Sequence, residues 1–213
     1  MTIGKVIQER GITEVLHFTT SNGLIGTLSN GLLLAHSELP KEKSLAYIAQ
    51  VNCPDRSRDA DFHQYVNLSI SRINASFFSV ARNKWHATKD LYWCILSFDP
   101  IIMTHEGVLF STTNNAYANT LRALGADGLQ TLFAPAIRQF PNKWVQRSKS
   151  TSAHHTTCAQ AEVLYPRGVP IQYLRKVYLP NDDVLAEAEA QLGFCVPQLA
   201  QSIQLSVATE QFG

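Results

Sequence analysis

Between Tyr65 and Arg72 the chain alternates: Val66, Leu68 and Ile70 fall on one side, Tyr65, Asn67, Ser69 and Ser71 on the other. A period of two predicts a strand with one buried and one polar face. A second short run, Gln160-Ala161-Glu162-Val163-Leu164, sets an acidic side chain among apolar neighbours in the same manner. Leu91 to Phe98 is an unbroken apolar run with β-favouring residues, stopped by Asp99-Pro100, and reads as a central strand. Leu32–Leu34, Val108–Phe110 and Val169–Leu179 predict further strands, the last following a Tyr165-Pro166-Arg167-Gly168 turn.

Helical signals lie between these runs. Ser21 or Asn22 caps a helix bearing Leu24, Ile25 and Leu28, with Gly31 as its left-handed terminator. Asn74 or Ser76 opens a second, with Phe77, Phe78 and Ala81 toward the core. Asn114 or Asn115 caps a third that Gly125 ends, and Asp182 or Asp183 caps a last one running to Gly193. His36 to His63 is polar and interrupted by Pro40 and Pro54, which predicts a long surface loop with one helical turn around Leu45–Ile48. Ala126 to Ala159 lacks a sustained period. Many short strands with a few interspersed helices predict an α+β fold with a split central sheet. One domain over residues 1–213 is expected, with a C-terminal helical segment at 182–213 that closes the core or docks a partner.

Composition narrows the function classes. A chain of 213 residues that is 45% hydrophobic builds one sizeable core, and a formal net charge of +1 argues against a polyanion-coated protein. A local basic stripe still allows nucleic acid. No apolar run approaches the ~20 residues of a membrane helix, and no secretory signal is visible. The four cysteines are scattered without a C-x-x-C pair, so a reducing cytoplasm is expected and a disulfide framework is not. His154-His155 with Cys158 lacks a second ligand pair at zinc spacing, so no metal is expected. The absence of a Rossmann glycine pattern argues against hydride transfer but not against a dinucleotide that is consumed.

Three side chains carry candidate chemistry. His17, followed by Thr19, Thr20 and Asn22 beside a helix start, suits a ribose or a pyrophosphate, although taken alone it reads first as a histidine satisfied by a backbone carbonyl. Arg72 closes the alternating strand and can grip a diphosphate, or pair with a surface carboxylate such as Asp61 or Asp99. Glu162 lines a cleft if its sheet face does, and otherwise faces water. Before it, Arg138, Phe140, Lys143, Trp144, Arg147 and Lys149 interleave cations with aromatics, a pattern that suits single-stranded nucleic acid as well as a solvated loop.

Taken in order, Leu16-His17-Phe18-Thr19, Asn30-Gly31-Leu32-Leu33, Tyr65 to Arg72 and Gln160 to Leu164 resemble the DarT family of nucleic-acid ADP-ribosyltransferases, toxins of bacterial toxin–antitoxin and phage-defence modules. The resemblance spans roughly residues 10 to 180 and implies the ADP-ribosyltransferase fold of the diphtheria-toxin and PARP group. It implies NAD as a consumed co-substrate, single-stranded DNA as acceptor with RNA as the alternative, and a cognate antitoxin as partner. Carried over by motif, Glu162 is the catalytic glutamate, His17 contacts the adenosine ribose, and Arg72 is the second catalytic residue, beside the diphosphate and the acceptor base, where it clamps phosphate or helps remove a proton from the base. Thr19, Asn22, Tyr65 and Ser69 complete the expected NAD site, and Ala126 to Ala159 presents the nucleic acid. Ser71-Arg72-Ile73-Asn74 departs from the branches associated with thymine, which favours guanine. A non-catalytic nucleic-acid-binding module is the competing reading.

Overall fold

The structure is a computed structural model that describes residues 1–39, 57–87 and 91–212. In chain order its elements are α1 (Ile3–Arg10), β1 (Val15–Thr20), α2 (Ser21–Asn30), β2 (Leu32–Leu34), β3 (Tyr65–Ile70), α3 (Ala75–Val80) and β4 (Trp93–Phe98). There follow β5 (Leu109–Ser111), β6 (Arg122–Leu124), α4 (Gly125–Thr131), β7 (Ala136–Phe140), β8 (Lys143–Gln146) and β9 (Glu162–Pro166). The chain closes with β10 (Gly168–Pro170), β11 (Leu174–Leu179), α5 (Leu185–Cys195) and β12 (Gln204–Val207). This is the α+β architecture that the alternation and the apolar runs predict.

Eight strands form one sheet in the order β12-β11-β4-β1-β3-β9-β5-β6. β1 pairs with β4 through all six of its residues, but with β3 only through Val15 and Leu16. Past Leu16 the two strands part, and the sheet is split there. Two apolar clusters hold it. One joins strand residues such as Val15, Leu68, Leu96, Val163 and Val177 to Val6, Leu24, Leu129 and Leu192 of the helices. The other packs Phe78 and Ala81 with Leu16, Phe18, Trp93 and Ile95.

Local sequence accounts for the ends of these elements. Gly31 adopts φ 67° and caps α2 by donating its N–H to the Leu28 carbonyl. The N-cap of α2 is Thr20, one residue before the predicted Ser21, because its hydroxyl is the acceptor for the Gly23 N–H. β4 is buried along its whole length, as its unbroken apolar run predicts.

Other expectations fail for identifiable reasons. No helix runs from Asn114 to Gly125: Asn115 gives its N–H to Glu162 and its carbonyl to Arg122, so neither group serves an intrahelical ladder. Gly125, at φ 73°, begins α4 rather than ending a helix. Ala126 to Ala159 holds most of α4 and the antiparallel hairpin β7–β8, whose alternation is disguised by Gln139 on the buried side. There Gln139 donates to Gln160 at 2.9 Å. The stretch after Asp182 is not wholly helical, since β12 adds a parallel strand beside β11. The turn expected at Leu45–Ile48 lies outside the described residues. Among those described, no helix is long and apolar enough to cross a membrane.

Candidate active site

Where β1 and β3 part, a cavity of about 530 Å³ opens, within the ~300–1,000 Å³ range of small-molecule sites. His17, Thr19, Tyr65, Ser69 and Glu162 all line it. Alternation along β3 explains three of its walls: Val66, Leu68 and Ile70 enter the core, which turns Tyr65, Asn67 and Ser69 toward the opening.

Glu162 stands at the first residue of β9, 7% exposed, opposite Ser111 of β5. Its Oε2 accepts the Asn115 backbone N–H at 2.6 Å and the Asn67 Nδ2 amide at 3.2 Å. These two donors hold the buried carboxylate in one orientation. His17 sits across the split, with Nδ1 3.0 Å from the Asn67 carbonyl. A carbonyl only accepts, so Nδ1 carries the hydrogen. Asn67 therefore touches both strands of the fork, through its carbonyl to β1 and its amide to β9.

Thr19 forms part of the wall because Gly23 leaves it room: a Cβ on Gly23 would lie 2.0 Å from the Thr19 hydroxyl oxygen. One further part of the wall is aromatic. Phe77, expected toward the core, lines the cavity with Trp85, and their rings meet edge to face at 5.6 Å. Asn74 is 5% exposed and caps α3 with Oδ1, leaving its Nδ2 donor buried, without a partner, at the cavity wall. Tyr117 also lines it, its hydroxyl pKa raised chiefly by burial.

Two expected donor-site residues stand elsewhere. Asn22 lies in the first turn of α2, nearly buried, away from the cavity lining. Arg72 is also outside the lining. Ser71 adopts φ 58° in a three-residue turn closed by the Arg72 N–H on the Ile70 carbonyl, and this turns the chain off the strand. The Arg72 guanidinium donates Nη2 to the Thr156 carbonyl at 3.1 Å, and its Nε is buried without a partner. Neither suggested carboxylate pairing appears; Asp99 instead bonds Arg175 at 3.1 Å. Among the described residues lining the cavity, the cation is Arg58, which alternation could not reveal.

The basic and aromatic residues divide into two groups. Arg147 is structural: its guanidinium donates to the carbonyls of His155 at 2.7 Å and Ser152 at 2.8 Å. Arg72 and Arg147 thus grip successive carbonyls of one loop. His155 within it has its pKa lowered, first by burial and then by Arg72, His154 and Arg147. Arg138 donates to the Pro141 carbonyl across the hairpin turn. Phe140, Lys143, Trp144 and Lys149 face outward, and Trp144 is 58% exposed. The Phe140 ring packs 4.6 Å from Tyr117, which joins this surface to the cavity wall. Among the described residues, no three His, Cys, Asp or Glu side chains gather as metal ligands would.

A family model described as "ssDNA thymidine ADP-ribosyltransferase, DarT" matches residues 16–211. No curated protein matches the chain. Among solved structures, DarT of Thermus sp. 2.9 in complex with carba-NAD+ superposes with a TM-score of 0.64 at 14% identity, covering 94% of this chain and 98% of that one. The same Thermus protein in complex with ADP-ribosylated ssDNA also gives 0.64 at 14% identity, covering 95% and 97%. DarTG of Thermosipho africanus in complex with ADP-ribose gives 0.60 at 16% identity, covering 94% of this chain and 51% of that one.

Proposed function

The chain belongs to the DarT family of ssDNA ADP-ribosyltransferases, and from that premise we propose that the split-sheet cavity binds NAD and passes its ADP-ribose to a base in single-stranded DNA. The observation that carries this reading is Glu162, a buried carboxylate held by two donors on the wall of a cavity that His17 also lines.

The chemistry suits those residues. The bond between ribose C1′ and the nicotinamide nitrogen breaks, its electron pair leaving with nicotinamide. Positive charge spreads over C1′ and the ring oxygen, where the Glu162 carboxylate stabilises it. A base nitrogen then bonds to C1′ and gives up its proton to solvent. Phe77 and Trp85 offer an aromatic wall, Asn74 a buried donor, and Arg58 a cation for the diphosphate. Arg72, tied to the Thr156 carbonyl, acts on the acceptor side by holding the loop over which the strand enters. Phe140, Lys143, Trp144 and Lys149 supply stacking surface and charge for that strand.

Two finer assignments complete the proposal. Guanine is the acceptor base favoured by the Ser71-Arg72-Ile73-Asn74 departure, although the family description names thymidine. The chain acts as a toxin with a cognate antitoxin; this chain matches about half of Thermosipho DarTG, so that protein carries about as much chain again. Incubating the protein with NAD and oligonucleotides lacking each base in turn tests all of this by mass spectrometry, with RNA as a parallel arm. The expected result is one added ADP-ribose on guanine-containing DNA, lost in Glu162→Ala, together with growth arrest on expression that the same substitution relieves. Unmodified oligonucleotides throughout, with folded protein, would overturn the reading.

A further inference from the structure

Glu162 owes its orientation to a segment that alternation does not mark. The Asn115 N–H on Oε2, at 2.6 Å, is the shorter of the two hydrogen bonds described for the carboxylate. Asn115 is itself clamped. Arg122 donates Nε to its side-chain Oδ1 at 2.5 Å and Nη2 to its backbone carbonyl at 2.6 Å. One planar guanidinium thus grips the side chain and the main chain of the residue whose N–H meets the acid.

The rest of the clamp is built to hold that geometry. Ser111 of β5 faces Glu162 on one side and Arg122 on the other, so the sheet register fixes the distance between them. The Arg122 guanidinium lies 4.4 Å over the Phe62 ring. The loop between β5 and β6 is tied by buried hydroxyls: Ser111 Oγ lies 2.8 Å from Thr120 Oγ1, and Thr120 Oγ1 accepts the Thr113 N–H. Asn115 Nδ2 is buried without a partner, so the amide is turned to satisfy Arg122 at the expense of its own donor. Arg122 is not among the residues that line the cavity.

We propose that Arg122 is a positioning residue for the transfer reaction: through its two-point grip on Asn115 it aims a backbone N–H at Glu162 and sets the direction of the catalytic carboxylate. This rests on the reading of Glu162 as the catalytic acid. A fork is needed, because a lysine ammonium presents a point charge and cannot match two acceptors on one residue with planar geometry.

The test has two arms. In the amide NMR spectrum of the full chain, the Asn115 proton is expected far downfield, as short bonds to a carboxylate make it, and it should move upfield in Arg122→Ala and in Arg122→Lys. In nicotinamide-release assays with an oligonucleotide, both variants should lose kcat at least tenfold, with KM for NAD within twofold of the parent. Added guanidinium ion should restore part of kcat to Arg122→Ala and none to Glu162→Ala. If Arg122→Ala fails to fold, Arg122→Lys keeps the stem and the charge and carries the test. An unmoved Asn115 amide, or a folded variant with unchanged kcat, overturns the proposal. A parent protein that releases no nicotinamide while its Asn115 amide still depends on Arg122 would sink the functional reading and leave the clamp standing.

Discussion

Two carboxylates stand at the starts of sheet strands on either side of β3, one before β1 and one on β9. Glu14, just before β1, accepts hydrogen bonds on one oxygen from the Ser97 hydroxyl at 2.7 Å and the Tyr178 hydroxyl at 2.9 Å. Glu162, opening β9, also accepts two on one oxygen, from the Asn115 N–H and the Asn67 amide. Satisfaction of the acid is the same; the setting is not. The Glu14 donors sit on β4 and β11, where the strands pack against each other without a gap, and Glu14 lines no part of the cavity. The Glu162 donors flank the place where β1 and β3 separate. Glu14 is half-buried and Glu162 buried, so a hydrogen-bonded acid withdrawn from solvent is a structural feature by default, and becomes a candidate for chemistry only where the fold leaves space for a substrate in front of it.

Exchanging each acid for its amide should separate these roles. Glu162→Gln is expected to lower ADP-ribose transfer by about a thousandfold, or ~4 kcal/mol of transition-state stabilisation, with little change in melting temperature. Glu14→Gln should do the reverse. Its NH₂ group faces two hydroxyls that must now reorient, one of them the Tyr178 phenol, whose pKa is pushed up to about 12, first by burial and then by Glu14. A stability loss of ~1–3 kcal/mol is expected, with transfer unchanged at temperatures where the protein is folded. Thermal denaturation beside mass-spectrometric turnover reads both. If the two substitutions damage transfer equally, the contrast between packed and open settings is wrong.

How much of this was legible beforehand follows from the range of each interaction. Period-two alternation places Asn67, Ser69 and Glu162 without knowledge of their partners, because a strand with one buried face leaves the other face no choice. Arg72 escapes the same logic. It continues the alternating string, but Ser71 at φ 58° turns the backbone, and a positive φ at serine has no signature in a single sequence. Asn115 looks like a helix cap, and Arg122 falls inside the same expected helix, until the register of β5, β6 and β9 is known. The β7–β8 hairpin hides because Gln139 puts a polar side chain on the buried face and Phe140 an aromatic one on the exposed face. Arg58 lies in the His36 to His63 stretch that reads as a surface loop, where no period marks a site residue.

Arg58 and Arg72 differ in the same way: the resemblance implies the diphosphate for Arg72, whereas Arg58 lines the cavity wall. Arg58→Ala should raise KM for NAD about tenfold, the ~1.4 kcal/mol expected for losing one charge-assisted contact at a partly open site. Arg72→Ala should leave KM for NAD nearly unchanged and raise KM for the oligonucleotide, because its guanidinium holds the Thr156 carbonyl rather than the cavity. Initial rates with one substrate varied at a time decide between them. The opposite assignment, with NAD affinity tracking Arg72, would mean that substrate binding draws this side chain across the split.

The smallest effect is expected on the outer surface, and it tests whether the hairpin belongs to the open half of the molecule at all. Trp144 lies opposite Arg138 on β7–β8 and is 58% exposed, so it contributes little to the core. Its indole is free to stack on a base, a contact worth ~1–3 kcal/mol where a base is fully covered and less at so open a position. Trp144→Ala should therefore weaken oligonucleotide binding severalfold, measured by fluorescence anisotropy, and leave the melting temperature unchanged. Lys143→Ala should weaken it similarly and also flatten its dependence on salt, since a lysine near phosphate acts through charge and a stacked ring does not. Equal salt slopes in the two variants would argue against phosphate contact by Lys143. Unaltered affinity in both would place the acceptor strand on another face, and Phe140 against Tyr117 would then be wall packing rather than the bridge between strand and donor.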